Sequence, residues 1–450
     1  PLLVCTPGYQ SLETNAYGDI IKKLDTKPPI PGNDIYLSLD YGLQKLTSDL
    51  LNGKRGAAVA IDPSTGEILA FVSNPSFDPN PFITGISSRE YKALQQDPDM
   101  PLYNRALQGQ YPPGSSIKPI EGLAGIHYGI MGWDSSIYDP GYFSLPGDSH
   151  KFRDWKKSGH GNVNLHKSVV ESVDTYYYKL SYQLGIDRLH DWMTRFNFGS
   201  KTGIDLPGEK TGVYPSTEWK MKTYKKAWLP GETISVSIGQ GYFLATPLQI
   251  ANGIAMLASD GQHLIPHLLK KSTGAEHVTP IEKPDGKIQY NGNPNDWQRM
   301  HLAMEDVVKK GTAHSIYTPT YRIAGKTGTA QVKSIAQGKR YNEAALDSRH
   351  WDHGWFVGFA PVENPQIAIA VIVENGRHGG WVAPIVRKMM DYWLIDKIKK
   401  PIVPPSPEEL VKINAEKQAA KLQREALVLS GKPIIAKPNT AKLTAVGDAD

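Results

Sequence analysis

The first 33 residues, closing on Pro28-Pro29-Ile30-Pro31-Gly32, read as a linker or the remnant of a preceding region, and from Asp34 the pattern of apolar and polar positions becomes globular. Ala57-Ala58-Val59-Ala60-Ile61 and Ile68-Leu69-Ala70-Phe71-Val72 flank the turn residues Asp62-Pro63-Ser64-Thr65-Gly66-Glu67, which predicts a hairpin. A second hairpin is predicted for Trp355 to Ala360 and Ile367 to Val373, turning at Val362-Glu363-Asn364-Pro365. With the short β-like run Tyr321 to Ala330 these make five strands, joined mostly by short turns, and predict one antiparallel sheet.

Between the hairpins the period is helical. Asp187 to Phe198 places Leu189, Trp192, Met193 and Phe196 on one face and stops at Gly199. Thr246-Pro247 is a cap followed by proline at the first helical position, starting a helix that runs to about Leu257. Trp381 to Ile398, after Gly379-Gly380, is a further amphipathic helix. The result is an α/β domain over residues 34–398, with strands at both ends and helices between. Beyond Lys400 come Pro401, Pro404, Pro405 and Pro407 and few large apolar residues; residues 408–428 fit a solvated helix, but a flexible tail over 399–450 is the expectation.

Composition narrows the function classes. A chain of 450 residues with 40% hydrophobic content buries a large core. A net charge of +5, from 50 basic and 45 acidic residues, is no field for nucleic acid. Cys5 is the single cysteine, which excludes an intrachain disulfide and a thiolate metal cluster. No run of 18 apolar residues occurs and the chain opens on Pro1, so it reads as the trimmed soluble portion of something longer, without its signal or anchor.

The candidate chemistry begins at Ser115 and Lys118, in Tyr111-Pro112-Pro113-Gly114-Ser115-Ser116-Ile117-Lys118. Three residues make one helical turn, so hydroxyl and amine share a face, and Pro112-Pro113 suit a helix start. A buried lysine there is a base for the serine. Chance alone supplies about one or two such spacings in a chain of this length, so order and company must decide. Three Ser-x-Asp triplets occur, at Ser38, Ser76 and Ser172, and three Lys-Thr-Gly triplets, at Lys201, Lys210 and Lys326. Ser38-Asp40 lies in a strand-like run and Ser76-Asp78 in a proline-rich loop, both before Ser115 and with nothing catalytic beside them. Lys201 and Lys210 fall in a Gly- and Pro-rich loop exposed to water. Ser172-Val173-Asp174 sits where two helices meet and by itself reads as a helix cap. Lys326-Thr327-Gly328-Thr329 lies in a strand-like run whose Gly328 admits another backbone and whose threonines offer hydroxyls. An edge strand of that kind pairs with an extended peptide while the lysine draws in its carboxylate.

Taken in order, Ser115-x-x-Lys118, Ser172-x-Asp174 and Lys326-Thr327-Gly328 resemble the three motifs of penicillin-binding proteins and serine β-lactamases. Gly239-Gln240-Gly241 with Thr246-Pro247, and Ala324 to Ala330, are similar to the class B, monofunctional transpeptidases over residues 34–395. Arg153-Asp154-Trp155-Lys156-Lys157, Gly159-His160-Gly161 and Glu374-Asn375-Gly376 resemble the elongation-type members of Gram-negative rods. The resemblance implies the penicillin-binding protein/serine β-lactamase-like fold, a five-stranded, mainly antiparallel sheet flanked by helices with an all-helical subdomain. It implies Ser115 as nucleophile, Lys118 as its base, Ser172 as proton relay, and Lys326, Thr327 and Thr329 on the terminal carboxylate of a peptidoglycan stem peptide ending in D-Ala-D-Ala. Backbone amides of Ser115 and Thr329 would hold the oxyanion.

The same resemblance implies acylation of Ser115 by β-lactams, an inner-membrane protein with its catalytic domain in the periplasm, and two partners: a SEDS-type glycosyltransferase and a scaffold of the elongation complex. Asp174 departs from the commoner asparagine, since an ionised carboxylate cannot donate a hydrogen bond; a structural role, pairing with a lysine, is the open alternative. Some relatives carry zinc on two aspartates, a histidine and a cysteine. Asp139, Asp154 and His160 match the first three, but the fourth position is Val173, so a polar network rather than a metal is expected and no cofactor is required. A serine β-lactamase would share Ser115, Lys118, Ser172 and Lys326, but the class A Glu-x-x-Leu-Asn stretch is absent from residues 175–325. A non-turnover β-lactam sensor is the other alternative.

Overall fold

The structure, a computed structural model, describes residues 5–272, 286–332 and 347–397, with six isolated positions between 406 and 419. The tail expected beyond residue 399 thus falls almost wholly outside the described residues. Ahead of residue 34 there is more than a linker: Tyr9–Thr14 (β1) and Ile20–Lys27 (β2) pair as an antiparallel hairpin. Tyr9, Leu12, Ile20, Ile21 and Leu24 remain exposed on it.

Gly56–Ile61 (β3) and Ile68–Asn74 (β4) form the first expected hairpin, Ala324–Ala330 (β5) the single run, and His353–Ala360 (β6) with Ile367–Val373 (β7) the second hairpin. They make one sheet in the order β5-β6-β7-β3-β4, antiparallel throughout, with β5 at an edge. Short turns join only the two hairpins; β4 reaches β5 through residues 75–323, and the sheet closes where β7 pairs with β3, Ala370 opposite Val59. Every residue of β3 and β7 is buried. Strands with one face in water alternate; these do not, because helices cover both sides.

The helices that carry the site follow in chain order. Lys118–His127 (α1), Leu165–Val170 (α2) and Asp174–Leu184 (α3) come first. Ile186–Thr194 (α4), Thr217–Tyr224 (α5) and Pro230–Val236 (α6) come next. Pro247–Ala258 (α7), Asn295–Lys309 (α8) and Gly379–Asp391 (α9) complete the set. In α7 the Thr246 hydroxyl and the Gln249 side chain form a reciprocal cap, and all twelve residues are buried, against β3, β6 and β7. α9 covers β5, β6 and β7, and α8 lies on β5.

Two helix boundaries differ from expectation. The helix expected to reach Phe198 ends at Thr194, because Asn197 (φ 64°) and Gly199 (φ 84°) take left-handed backbone. Phe196 and Phe198 stay in the core all the same. The helix expected from Trp381 starts at Gly379 and passes into a π-helical turn over Tyr392–Asp396. The region between the hairpins also carries two unexpected ribbons, Ser136–Asp139 with Gly161–Asn164 and Tyr142–Phe143 with Phe152–Arg153. No helix among the described residues is long and apolar enough to cross a membrane.

The lead-in to β5 is held by charge. Arg322 donates to both oxygens of Glu305 on α8, at 2.7 and 2.5 Å, and Lys309 adds a third contact at 2.7 Å. The hydrogen bonds from Arg322 hold the Glu305 carboxyl below the ordinary glutamate range, against the opposing effect of burial. A carboxylate with a depressed folded pKa stabilises above its unfolded pKa and loses that contribution as pH falls through the folded value. Glu305→Gln is therefore expected to cost about 1–2 kcal/mol at neutral pH. The gap from the parent should close as pH drops below the ordinary glutamate pKa, which denaturant melts across that range would measure.

Candidate active site

The backbone places Ser115. Tyr111 exchanges hydrogen bonds with Ala245 at 3.0 and 2.9 Å, the Trp355 indole donates to the Pro112 carbonyl at 3.0 Å, and the Gly114 amide donates to Gly239 at 2.9 Å. Gly114 has φ 57°, and a Cβ there would lie 2.4 Å from the Thr329 carbonyl oxygen. Only glycine lets this segment lie against β5. Gly328 meets the same segment from the other side, a Cβ there falling 2.9 Å from the Pro113 carbonyl oxygen, so the backbone it admits is the chain's own. Gly114–Ile117 is a 3-10 turn running into α1, and residues three apart are eclipsed in such a turn. Ser115 is half-buried and Lys118 fully buried.

Ser172 sits at the junction of α2 and α3, with φ 57°. A buried serine in left-handed backbone is strained, and such strain persists only where the surroundings impose it. Two lysines do so. Lys118 Nζ donates to the Ser172 carbonyl at 2.8 Å and to Asp174 Oδ1 at 2.5 Å, and Lys326 Nζ donates to Ser172 Oγ at 2.7 Å. Asp174 thus pairs with a lysine of the site. Burial pushes the Lys326 amine well below the ordinary lysine range, and the nearby Lys118 charge adds to the effect.

The other triplets are structural. The Ser38 hydroxyl donates to Ile68 at 2.7 Å, and Asp40 caps the helix Tyr41–Leu51 by accepting from the Leu43 amide. Asp78 accepts from the Asn80 amide in an exposed loop. Lys201 and Lys210 are exposed.

Ser115, Ser172, Asp174, Thr327 and Thr329 line one cavity of about 350 Å³. Several of its walls carried no chemical signal in the sequence. Thr312 hydrogen-bonds the Thr327 hydroxyl at 2.8 Å, and Gln240 donates to the Thr329 carbonyl at 3.0 Å. Trp155, Asp352 and His378 complete the rim. Trp155 is 59% exposed, and its indole nitrogen donates to the Glu171 carbonyl at 3.1 Å. Gln240 and Trp155 lie inside stretches that mark the family resemblance; Thr312 lies in no motif.

Asp139, Asp154 and His160 come together, all buried. His160 Nδ1 lies 2.7 Å from Asp139 Oδ2 and 3.6 Å from Asp154 Oδ1. A structural zinc needs four closing ligands, and Val173, wholly buried, brings no donor. The carboxylates are also occupied: Asp139 accepts the Gly141 and His160 amides, and Asp154 accepts those of Lys156, Asp174 and Thr175. The set does not fit a closed zinc site. Its evident work is capping, since α3 has no side-chain cap of its own and Asp154 holds its first amides from another ribbon. Burial and the Asp174 charge raise the Asp154 carboxyl above the ordinary aspartate range.

Comparison with known proteins identifies the family. Residues 56–391 match the family model described as penicillin binding protein transpeptidase domain. A peptidoglycan D,D-transpeptidase MrdA of Acinetobacter baumannii is 60% identical over 403 residues, 90% of this chain and 60% of that protein. Among solved structures, Pseudomonas aeruginosa PBP2 in complex with WCK 5153 superimposes with a TM-score of 0.75 at 48% identity, covering 82% of this chain and 80% of that one. Helicobacter pylori PBP2, solved in complex with MreC, gives 0.74 at 34% identity, covering 88% and 71%. The chain spans about three fifths of the length of the curated relatives it matches.

Asp154→Ala removes the acceptor of the first α3 amides and is expected to lower stability by about 1–2 kcal/mol. Asp154→Asn, which keeps an acceptor oxygen, should lose less. Thermal and urea melts of the two variants would rank them.

Proposed function

The chain belongs to the penicillin-binding protein transpeptidase family, and we propose that residues 34–398 are the catalytic domain of a peptidoglycan D,D-transpeptidase working through an acyl-enzyme on Ser115. The observation that carries the reading is the convergence of Lys326 and of Lys118, itself paired with Asp174, on the strained Ser172, in the cavity that Ser115 lines.

In this reading the stem peptide lies against the edge strand β5, its terminal carboxylate held by the Thr327 and Thr329 hydroxyls and by the charge of Lys326. The backbone amides of Ser115 and Thr329 receive the oxyanion. Lys118, acting as the neutral amine, takes the Ser115 Oγ proton as Oγ bonds to the carbonyl carbon of the penultimate D-alanine, and the ammonium so formed is held by the Ser172 carbonyl and Asp174. As the C–N bond to the terminal D-alanine breaks, its nitrogen takes a proton from Ser172, which Lys326 resupplies. Burial of Lys326 favours that release, because it disfavours the charged amine. An amine from a neighbouring strand then attacks the ester carbonyl; its surplus proton passes through Ser172 to Lys326, the ester C–O bond breaks, and Ser115 Oγ takes back the proton from Lys118, leaving the cross-link and the free enzyme. Asp174 acts by charge on Lys118 rather than as a donor to substrate.

β-Lactams acylate Ser115 as mimics of this substrate. The domain works in the periplasm, tethered to the inner membrane. A scaffold of MreC type is a partner, on the strength of the Helicobacter complex, and a SEDS-type glycosyltransferase supplies the strands.

Intact mass spectrometry after benzylpenicillin is expected to show one adduct, absent in Ser115→Ala. No adduct on the parent, or one that survives in the variant, sinks the assignment, and rapid release of hydrolysed drug would favour a β-lactamase instead. Lys118→Met is expected to slow acylation by about 100-fold or more, read as adduct formation against time.

A further inference from the structure

A second cavity, of about 600 Å³, opens at the far end of α3, where its last turn meets the start of α4 and the segment between α5 and α6. We propose that this cleft binds the glycan strand of the substrate, an N-acetylated polysaccharide bearing carboxylate-rich stem peptides; the proposal rests on the transpeptidase reading above.

Two aromatic side chains line the cleft. Tyr182 is 43% exposed, and Trp228 is half-buried with its indole nitrogen tied to the Thr233 hydroxyl at 2.8 Å. Aromatic surface with fixed orientation and a wet edge is what the apolar face of a sugar ring packs on. Asp187 and Arg188 stand beside it as hydrogen-bonding groups. The Asp187 carboxylate is fixed by the Thr217 amide at 2.9 Å and by the Thr217 hydroxyl. The wall is therefore built rather than loose.

The stretch of chain between two lining residues, Thr217 and Trp228, carries the charge a stem peptide would meet. From Thr217 to Leu229 there are four lysines and one acid, Glu218. Lys220 is buried and paired with Glu232. Lys222, Lys225 and Lys226 are exposed, and none makes an ion pair among the described residues. Tyr224, Met221 and Leu229 are exposed on the same arm. Three free ammonium groups interleaved with apolar surface complement an anionic sugar polymer.

The cleft is also connected to the catalytic cavity by rigid elements. α3 starts at Asp174, in the catalytic wall, and ends at Leu184, in the cleft. α6 starts at Pro230, in the cleft, and leads to Ile238 and Gln240, in the catalytic wall. The two helices pack on each other. An eleven-residue helix is about 16 Å long, and an extended five-residue stem reaches about 17 Å. A strand seated in the cleft can therefore keep its peptide within reach of Ser115.

The test is calorimetric binding of soluble, uncross-linked peptidoglycan strands to the full chain, before and after Ser115 has been blocked with benzylpenicillin. The blocked protein is expected still to bind. The triple variant K222E/K225E/K226E and, separately, Tyr182→Ala are expected to lose at least tenfold in affinity while taking up benzylpenicillin at the parent rate. Loss of strand binding on blocking Ser115, or parent-like binding by the triple variant, overturns the proposal. A chain that takes no penicillin yet binds strands through these lysines sustains the cleft and overturns only the transpeptidase reading.

Discussion

Lys118 has no access to water, so its ammonium must be satisfied inside the protein. The Ser172 carbonyl and the Asp174 carboxylate do this. A buried charge with no partner costs far more than a stretch of backbone held in a poor conformation, so the demand of Lys118 helps to hold Ser172 in left-handed backbone. That twist lets the Ser172 carbonyl meet one lysine while its hydroxyl meets the other. The α2–α3 junction and the start of α1 are thereby locked together.

The second lysine depends on the first. Lys326 lies on an edge strand and is as buried as Lys118, so both burial and the neighbouring ammonium weigh against its charge. The Asp174 carboxylate favours it. An aspartate two residues after Ser172 thus makes electrostatic sense: two lysines share one small volume, and a carboxylate offsets part of their repulsion. Asp154, which accepts the Asp174 amide, holds the base of that carboxylate in place from a separate ribbon. The Asp139–His160–Asp154 cluster is the outermost layer of the same arrangement, and it works through hydrogen bonds without a fourth metal ligand.

Much of the fold was legible because it is local. The turn Asp62 to Glu67 and the runs on either side specify a hairpin wherever they occur, and Thr246-Pro247 with Gln249 specify a helix start. Where such signals are weak, structure is not legible in the local pattern. The β1–β2 hairpin has no buried face, so its residues show no alternation against a core. The helix expected to reach Phe198 keeps its apolar spacing past its real end, because Phe196 and Phe198 enter the core from a loop. Periodicity reports burial, and burial does not require a helix.

The sequence by itself determined the five strands, the main helices and the order of the three motifs, since these rest on spacing, turn chemistry and residue type along a few consecutive positions. It also set Ser115 and Lys118 on one turn. Only the tertiary structure decided that Asp174 pairs with Lys118, that Asp154 caps a helix twenty residues away, and that Thr312 and Gln240 stand in the same wall as Thr327 and Thr329. These are contacts between segments far apart in the chain. Their partners are selected by which buried charges and amides remain unsatisfied once the sheet and helices have packed, and that is not written in any local pattern.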